Sequence, residues 1–211
     1  RIITPKFPFI GVTLSGGHTQ IVQINNYFEM KIIGETLDDA IGEAFDKCGK
    51  RMGLNYPAGH QIDKLAKDGD HTRFNFPINN LKGYNVSYSG VKTSFTNFIQ
   101  KQKDSKFITK NLNDLCASLQ YTLIQIILIK IKKAAQDYGI NQIVIGGGVA
   151  ANSEIRKQLN NIAKSKNWKV FLPSIAYSTD NAAMIGIAGY YKLLQKNYGS
   201  ISDSPQARLK I

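Results

Sequence analysis

The chain has 211 residues, 43% hydrophobic and 20% charged, which is ordinary for a globular protein and enough for one large domain or two small ones around a sizeable core. Its formal net charge of +12 and pI near 9.6 are not ordinary. They favour an anionic partner, nucleic acid before a membrane surface, although a lysine-rich proteome would give the same sum.

The first predicted strand is the apolar, partly β-branched run Phe9-Ile10-Gly11-Val12-Thr13-Leu14. Ser15-Gly16-Gly17-His18 follows, and then Thr19 to Asn25 alternates as a second strand. Gly16-Gly17 therefore reads as a hairpin turn in which glycine supplies positive φ and leaves backbone N–H groups open, with the hydroxyls of Ser15 and Thr19 alongside. Such a turn can cradle phosphate; an ordinary hairpin accounts for the same residues. A third strand over Phe28 to Ile33 completes an antiparallel meander. Thr36 then opens a helix, with Asp39 as its capping-box partner. Asp39, Glu43 and Asp46 share one helical face, either a solvated acidic stripe or acceptors for ribose hydroxyls, while Ile41, Phe45 and Cys48 form the apolar face.

Tyr56-Pro57-Ala58-Gly59-His60 breaks that helix, and Gln61 to Lys67 forms a short second one with Asp63 near its start. Another helix begins at Tyr88-Ser89-Gly90-Val91-Lys92-Thr93, whose positive end is suited to a phosphate or to a plain cap. A long helix from Leu112 to Tyr138 carries Leu115, Cys116, Leu119, Leu123, Ile126 and Ile127 on one face and stops at Gly139. Its most apolar stretch, Leu123 to Ile131, is interrupted by Gln125 and Lys130 and is too short to span a bilayer, so no membrane partner is expected. Lysines 101, 103, 106, 110, 130, 132 and 133 read mostly as a solvated face. Cys48 and Cys116 lie far apart without metal-ligand spacing, which fits a reduced, cytoplasmic protein.

Asn141 to Ile145 is a buried strand that runs into Gly146-Gly147-Gly148-Val149-Ala150-Ala151-Asn152, and a helix starts near Ser153. Strand, glycine turn and helix is the arrangement that brings backbone close to a nucleotide, although the spacing is not that of the dinucleotide fingerprint. Trp168 to Leu172 is the next strand. Tyr177-Ser178-Thr179-Asp180-Asn181 then caps a last helix, Ala182 to Leu194, whose small residues imply close packing. Asp180 there is a cap or a ligand for metal or phosphate. The segment 197–211 reads as a loose tail. With no leading methionine and a strand that starts almost at once, a fragment of a longer protein is expected, with no signal peptide in view.

Three antiparallel strands, inserted helices over about 36–110, a long helix, then strand, helix, strand, helix is an α/β order. It resembles the ribonuclease-H-like half of the actin, Hsp70 and sugar-kinase fold, a mixed sheet with inserted helices, here a single lobe over 1–196. Leu14-Ser15-Gly16-Gly17-His18-Thr19-Gln20, Gly42-Glu43-Ala44-Phe45-Asp46-Lys47, Ser87-Tyr88-Ser89-Gly90-Val91-Lys92-Thr93, Gly147-Gly148-Val149-Ala150-Ala151-Asn152 and Ser178-Thr179-Asp180-Asn181 occur in that order. Together they resemble the TsaD/Gcp family of tRNA N6-adenosine threonylcarbamoyltransferases over about Pro8 to Leu194.

The resemblance implies transfer of a threonylcarbamoyl group from threonylcarbamoyl-AMP to N6 of adenosine 37 in tRNAs that read ANN codons. It implies that Thr13, Leu14, Ser15, Gly16 and Gly17 meet the acyl-phosphate. Asp46, Gly59 and Asp63 would meet the ribose and nucleoside, and Asn152 would sit beside the adenylate, with ATP as the alternative nucleotide. Asp180 would bind one divalent metal, iron(II) or zinc. tRNA, a TsaB-like paralogue and a TsaE-like ATPase are the implied partners. The chain departs from the family at Ala58 and His60, where the pattern has Gly and Pro, and its three histidines, His18, His60 and His71, do not form the family's amino-terminal His-x-x-x-His pair. What is present resembles the carboxyl-terminal lobe, expected to be inactive alone. No Ser/His/Asp set or zinc-protease motif is present. Two alternatives stay open, another ATP-dependent enzyme of this fold and a non-catalytic scaffolding lobe.

Overall fold

The computed structural model describes residues 4–204. Its strands are β1 (Phe9–Leu14), β2 (Thr19–Ile24), β3 (Met30–Glu35), β4 (Gln142–Gly146) and β5 (Lys169–Phe171). They form one sheet in the order β3-β2-β1-β4-β5. The first three are antiparallel neighbours, and β4 and β5 run parallel to β1, as the ribonuclease-H-like expectation requires. The third strand starts two residues later than expected, because Phe28 is held in a turn. The Asn26 side chain accepts the N–H groups of Phe28 and Glu29, at 2.9 Å each.

The helices are α1 (Ile41–Arg51), α2 (Gly59–Ala66), α3 (Ser89–Gln100), α4 (Phe107–Asp137), α5 (Ser153–Lys166) and α6 (Ala182–Leu194). The helix expected at Thr36 begins at Ile41 instead. Thr36 N–H donates to the Thr19 carbonyl and Leu37 N–H to the Val86 carbonyl, so the chain stays extended beside the sheet. No capping box forms with Asp39. The first N–H of α1, that of Ile41, is taken by the buried Thr19 hydroxyl at 2.8 Å.

Ile10, Val12 and Leu14 of β1 and Ile143 and Ile145 of β4 project into one core with Phe45, Phe95, Leu119 and Ile127. Burying each such side chain stabilises the fold by roughly 1.5–3 kcal/mol. The long helix α4 is not one-sided as its periodicity implies. From Leu115 to Leu128 nearly every position is buried, Ser118, Gln120 and Thr122 included. By length and composition α4 could cross a bilayer, but its apolar window is mostly covered by the rest of the fold. It kinks at Asn111, where φ −121° and ψ 17° leave the helical region. Lys130 is not on a solvated face. It is 1% exposed, and its ammonium donates to Asn80 Oδ1 and to the carbonyls of Leu81 and Gly83. Residues 197–204 of the expected tail carry no helix or strand, and 205–211 lie outside the described residues.

Candidate functional site

The carboxyl ends of β1 and β4 lie side by side in the parallel part of the sheet, with Thr13 paired to Gly146. Gly147 turns the chain with φ +92°, and a Cβ there would run into the Leu14 carbonyl. Only glycine lets the β4 turn pass so close to β1. On the other side, the start of α1 lies against the hairpin. Gly42 N–H donates to the Ser15 carbonyl at 3.1 Å, and a Cβ on Gly42 would meet the Gly16 backbone at 2.8 Å.

The hairpin differs in detail from expectation. Neither Gly16 nor Gly17 has positive φ. The turn is closed by Ser15, whose N–H donates to the His18 carbonyl at 2.9 Å and whose Oγ accepts from Gly17 and His18 N–H at 3.3 and 2.9 Å. Two of the three N–H groups after Ser15 are thus spent inside the turn, and Thr19 is spent on α1. A Cβ on Gly16 or Gly17 would meet nothing within 4 Å, so the close approach of α1 to the hairpin depends on Gly42 and not on the hairpin glycines.

A cavity of about 440 Å³ opens between these walls. Gly16 and Gly42 line one side, Gly148 and Asn152 the other, and Asp46, Gly59 and Asp63 lie along it. The structure therefore brings together five of the sequence-predicted binding residues: Gly16, Asp46, Gly59, Asp63 and Asn152. Ser15 and Asp180 line an adjoining cavity with Gly146, Ser178 and Thr179; Gly148 and Thr179 belong to both. Thr13 and Gly17 line neither, and the Leu14 side chain is in the core, fully buried.

Several of these polar groups also build the fold. Asn152 caps α5, its Oδ1 accepting Glu154 and Ile155 N–H at 3.1 Å each, while its amide donates to Gln120 Oε1 at 2.7 Å. One amide hydrogen is left over. Both oxygens of Asp63 accept Ser153 N–H at 3.1 Å, and Oδ1 takes the Ser153 hydroxyl at 2.8 Å, a second cap on α5 from α2. Asp46 is less committed. Its Oδ1 accepts Ala58 N–H at 2.7 Å, and Oδ2 has no hydrogen-bond partner among the described residues. Nothing in the sequence distinguishes Arg156 of α5 from any surface helix residue. It donates to the carbonyls of Ala150 (2.7 Å) and Pro173 (2.5 Å) and so holds the two loops of the adjoining cavity together.

The acidic stripe of the sequence is divided. Asp39 lies before α1 and pairs with Lys47 at 2.6 Å and Lys92 at 2.7 Å; Lys47 also pairs with Glu43 at 2.8 Å. Burial works to raise the Asp39 carboxyl, but the two ammonium groups outweigh it and hold it below its ordinary value. The start of α3 is likewise no phosphate site. Asp38 already sits there, accepting from Tyr88 and Ser89 N–H and from the hydroxyls of Ser87 and Ser89.

Asp180 is exposed and does not cap α6; the Asn181 side chain does, accepting Met184 N–H at 3.0 Å. Among the described residues no three of His, Cys, Asp and Glu gather in a way that could hold a metal ion. A lone carboxylate beside hydroxyls does not fit a resident divalent ion, whose remaining ligands would have to come from elsewhere.

Residues 1–187 match the family model for TsaD, tRNA N6-adenosine threonylcarbamoyltransferase. The protein of that name from Christiangramia forsetii is 52% identical over 208 residues, covering 98% of this chain and 61% of the relative. Its counterpart in Cytophaga hutchinsonii is 49% identical over 211 residues, covering 99% and 62%. The chain thus spans about three-fifths of the length of these curated relatives. Full-length HypF in its phosphate- and nucleotide-bound form superimposes with a TM-score of 0.70 over 91% of this chain and 34% of HypF. At 12% identity that likeness shows the fold alone.

Proposed function

The chain belongs to the tRNA N6-adenosine threonylcarbamoyltransferase family, and on that premise we propose that it forms the nucleotide-holding lobe of an enzyme transferring threonylcarbamoyl from threonylcarbamoyl-AMP to N6 of adenosine 37 in tRNAs that read ANN codons. The observation that carries this reading is the single cavity that gathers the β1–β2 hairpin, Asp46, Gly59 and Asp63 of the helical insertion, and the glycine turn after β4.

In the transfer the N6 amine attacks the carbamoyl carbon of the mixed anhydride. The new N–C bond forms, the bond from that carbon to the phosphate oxygen breaks, AMP leaves and N6 loses a proton. Such a reaction needs placement and stabilisation of charge more than a protein nucleophile. The chain is consistent with that. Cys48 and Cys116 are both buried, and burial pushes each thiol up to about 12, so neither supplies a thiolate. Asp46, with one oxygen uncommitted, is suited to accept a ribose hydroxyl. Gly148 leaves its wall open, with nothing within 4 Å of where a Cβ would stand. An adenylate lying on that wall would meet backbone rather than side chain. Any metal would act with ligands from outside the described residues.

Gly148→Val tests the reading. The valine has room to fold but projects into the cavity, so calorimetric titration with a non-hydrolysable threonylcarbamoyl-AMP analogue should show at least a tenfold loss of affinity. Unchanged affinity with an unchanged melting temperature would remove the cavity as the nucleotide site.

A further inference from the structure

Outside the cavity, α1 and α3 pack side by side and leave a trough between their exposed faces. Lys47, Lys50 and Arg51 stand at i, i+3 and i+4 on α1, so they share a face. Across from them α3 presents Lys92, Thr93, Thr96 and Asn97, and all seven line one depression. The trough is continuous with the candidate site. Lys47 and Lys50 also line an intermediate hollow with Gly16, Asp46 and Tyr56, and those last three line the cavity itself. At its far end Thr93 and Asn97 lead on to Lys101.

Two of these cations are already neutralised. Lys47 and Lys92 are fixed by Asp39, and Lys47 by Glu43 as well. Lys50 and Arg51 are exposed and have no carboxylate partner among the described residues. They stand where a chain leaving the cavity would pass. Tyr56, between trough and cavity, is 84% exposed, the most exposed aromatic side chain among the described residues. Unpaired cations beside a bare aromatic ring, with hydroxyl and amide donors opposite, are the means by which proteins hold a looped or single RNA strand: phosphates on the cations, a base stacked on the ring. An acidic peptide would use the cations and leave the ring unused.

Resting on the reading that the acceptor is a tRNA, we propose that the α1–α3 trough is the docking track for the RNA strand flanking the acceptor adenosine. Lys50 and Arg51 take its phosphates and Tyr56 stacks a neighbouring base.

The test is fluorescence anisotropy with a labelled RNA stem-loop that carries an adenosine in its loop, across a salt series. Four proteins are compared: the unaltered protein, Lys50→Ala/Arg51→Ala, Tyr56→Ala, and Lys164→Ala/Lys166→Ala. The last removes the same charge from the exposed end of α5. Thermal melting checks that each variant folds. Lys50→Ala/Arg51→Ala should weaken binding at least tenfold at low salt and flatten the log–log salt slope by about 1.5, the value for two lost phosphate contacts. Tyr56→Ala should weaken binding several-fold and leave the slope unchanged, and the α5 variant should change affinity less than twofold. Equal losses in the two double variants would overturn the trough and leave the tRNA reading standing, since the charge would then act diffusely. Displacement by polyglutamate as effective as by unlabelled RNA of equal charge would also overturn it, in favour of an acidic protein partner. Failure of the unaltered protein to bind the stem-loop would overturn the trough and the tRNA reading together.

Discussion

Asp46 and Asp63 look interchangeable in the sequence, two aspartates on helices beside a glycine-rich break, and the structure separates them. Asp46 gives one oxygen to Ala58 N–H and keeps the other, whereas both oxygens of Asp63 hold the first residue of α5. Asp46→Asn keeps an oxygen for Ala58 and loses the charge. It should therefore leave urea unfolding nearly unchanged while weakening binding of the adenylate analogue by about 1.5–3 kcal/mol, with no loss for a 2′,3′-dideoxy form. Asp63→Ala should do the reverse and lower stability by about 0.5–2 kcal/mol through the lost cap. If Asp63→Ala melted like the unaltered protein, its bonds to Ser153 would carry no weight. At this scale the sequence was most legible where one residue type is required by backbone geometry, as at Gly147. It was least legible where a side chain serves two ends. Asn152 was expected beside the adenylate and stands on the cavity wall, but its side chain is largely used by α5 and Gln120.

The beginnings of α3, α5 and α6 fall within a residue of where the sequence places them, whereas α1 starts at Ile41 rather than Thr36, for a physical cause. The caps of α1 and α3 come from residues remote in sequence: the Thr19 hydroxyl serves Ile41, and Asp38 serves Tyr88 and Ser89 from fifty residues away. A local pattern such as Thr36 with Asp39 cannot compete once the sheet claims Thr36. The Asp38 cap has a consequence for acid stability. Burial works to raise its carboxyl, but the Ser87 and Ser89 hydroxyls and two backbone N–H groups outweigh it, so the folded group titrates below its ordinary value. A carboxyl lowered on folding stabilises the protein above its unfolded pKa of about 3.9, and that contribution is lost as pH falls through the lower folded value. Asp38→Ala should cost about 0.5–2 kcal/mol at pH 7. It should also make the decline in stability between pH 5 and pH 3 shallower than in the unaltered protein, as followed by urea unfolding. Equal slopes on the acid side would show that Asp38 is not one of the groups responsible.

At the level of the whole molecule, the antiparallel meander of β1 to β3 was legible from two-residue alternation and short turns, whereas the mixed sheet that β4 and β5 complete was implied by the resemblance to the ribonuclease-H-like half and not by periodicity. The packing of the last helix was not. Its small residues imply a close neighbour, yet no residue of α6 is buried in the described structure. Ile185 and Leu194 are each more than half exposed, as are Ile187 and Leu193. The periodicity of α6 reports what its face is made of, not what lies against it. One contact with the body of the fold is Tyr191, stacked on Tyr27 of the β2–β3 turn with ring centroids 3.8 Å apart. A helix of 13 residues with little tertiary support is marginal in water, whereas α4 opens only when the core does. Hydrogen exchange should therefore find the α6 amides exchanging through local opening, well before those of α4 between Leu115 and Ile131. Tyr191→Ala should speed exchange in α6 further while leaving α4 and the global unfolding midpoint unchanged. Protection of α6 equal to that of α4 would mean that its apolar face is covered in solution and that the Tyr27 stack is not its main tether.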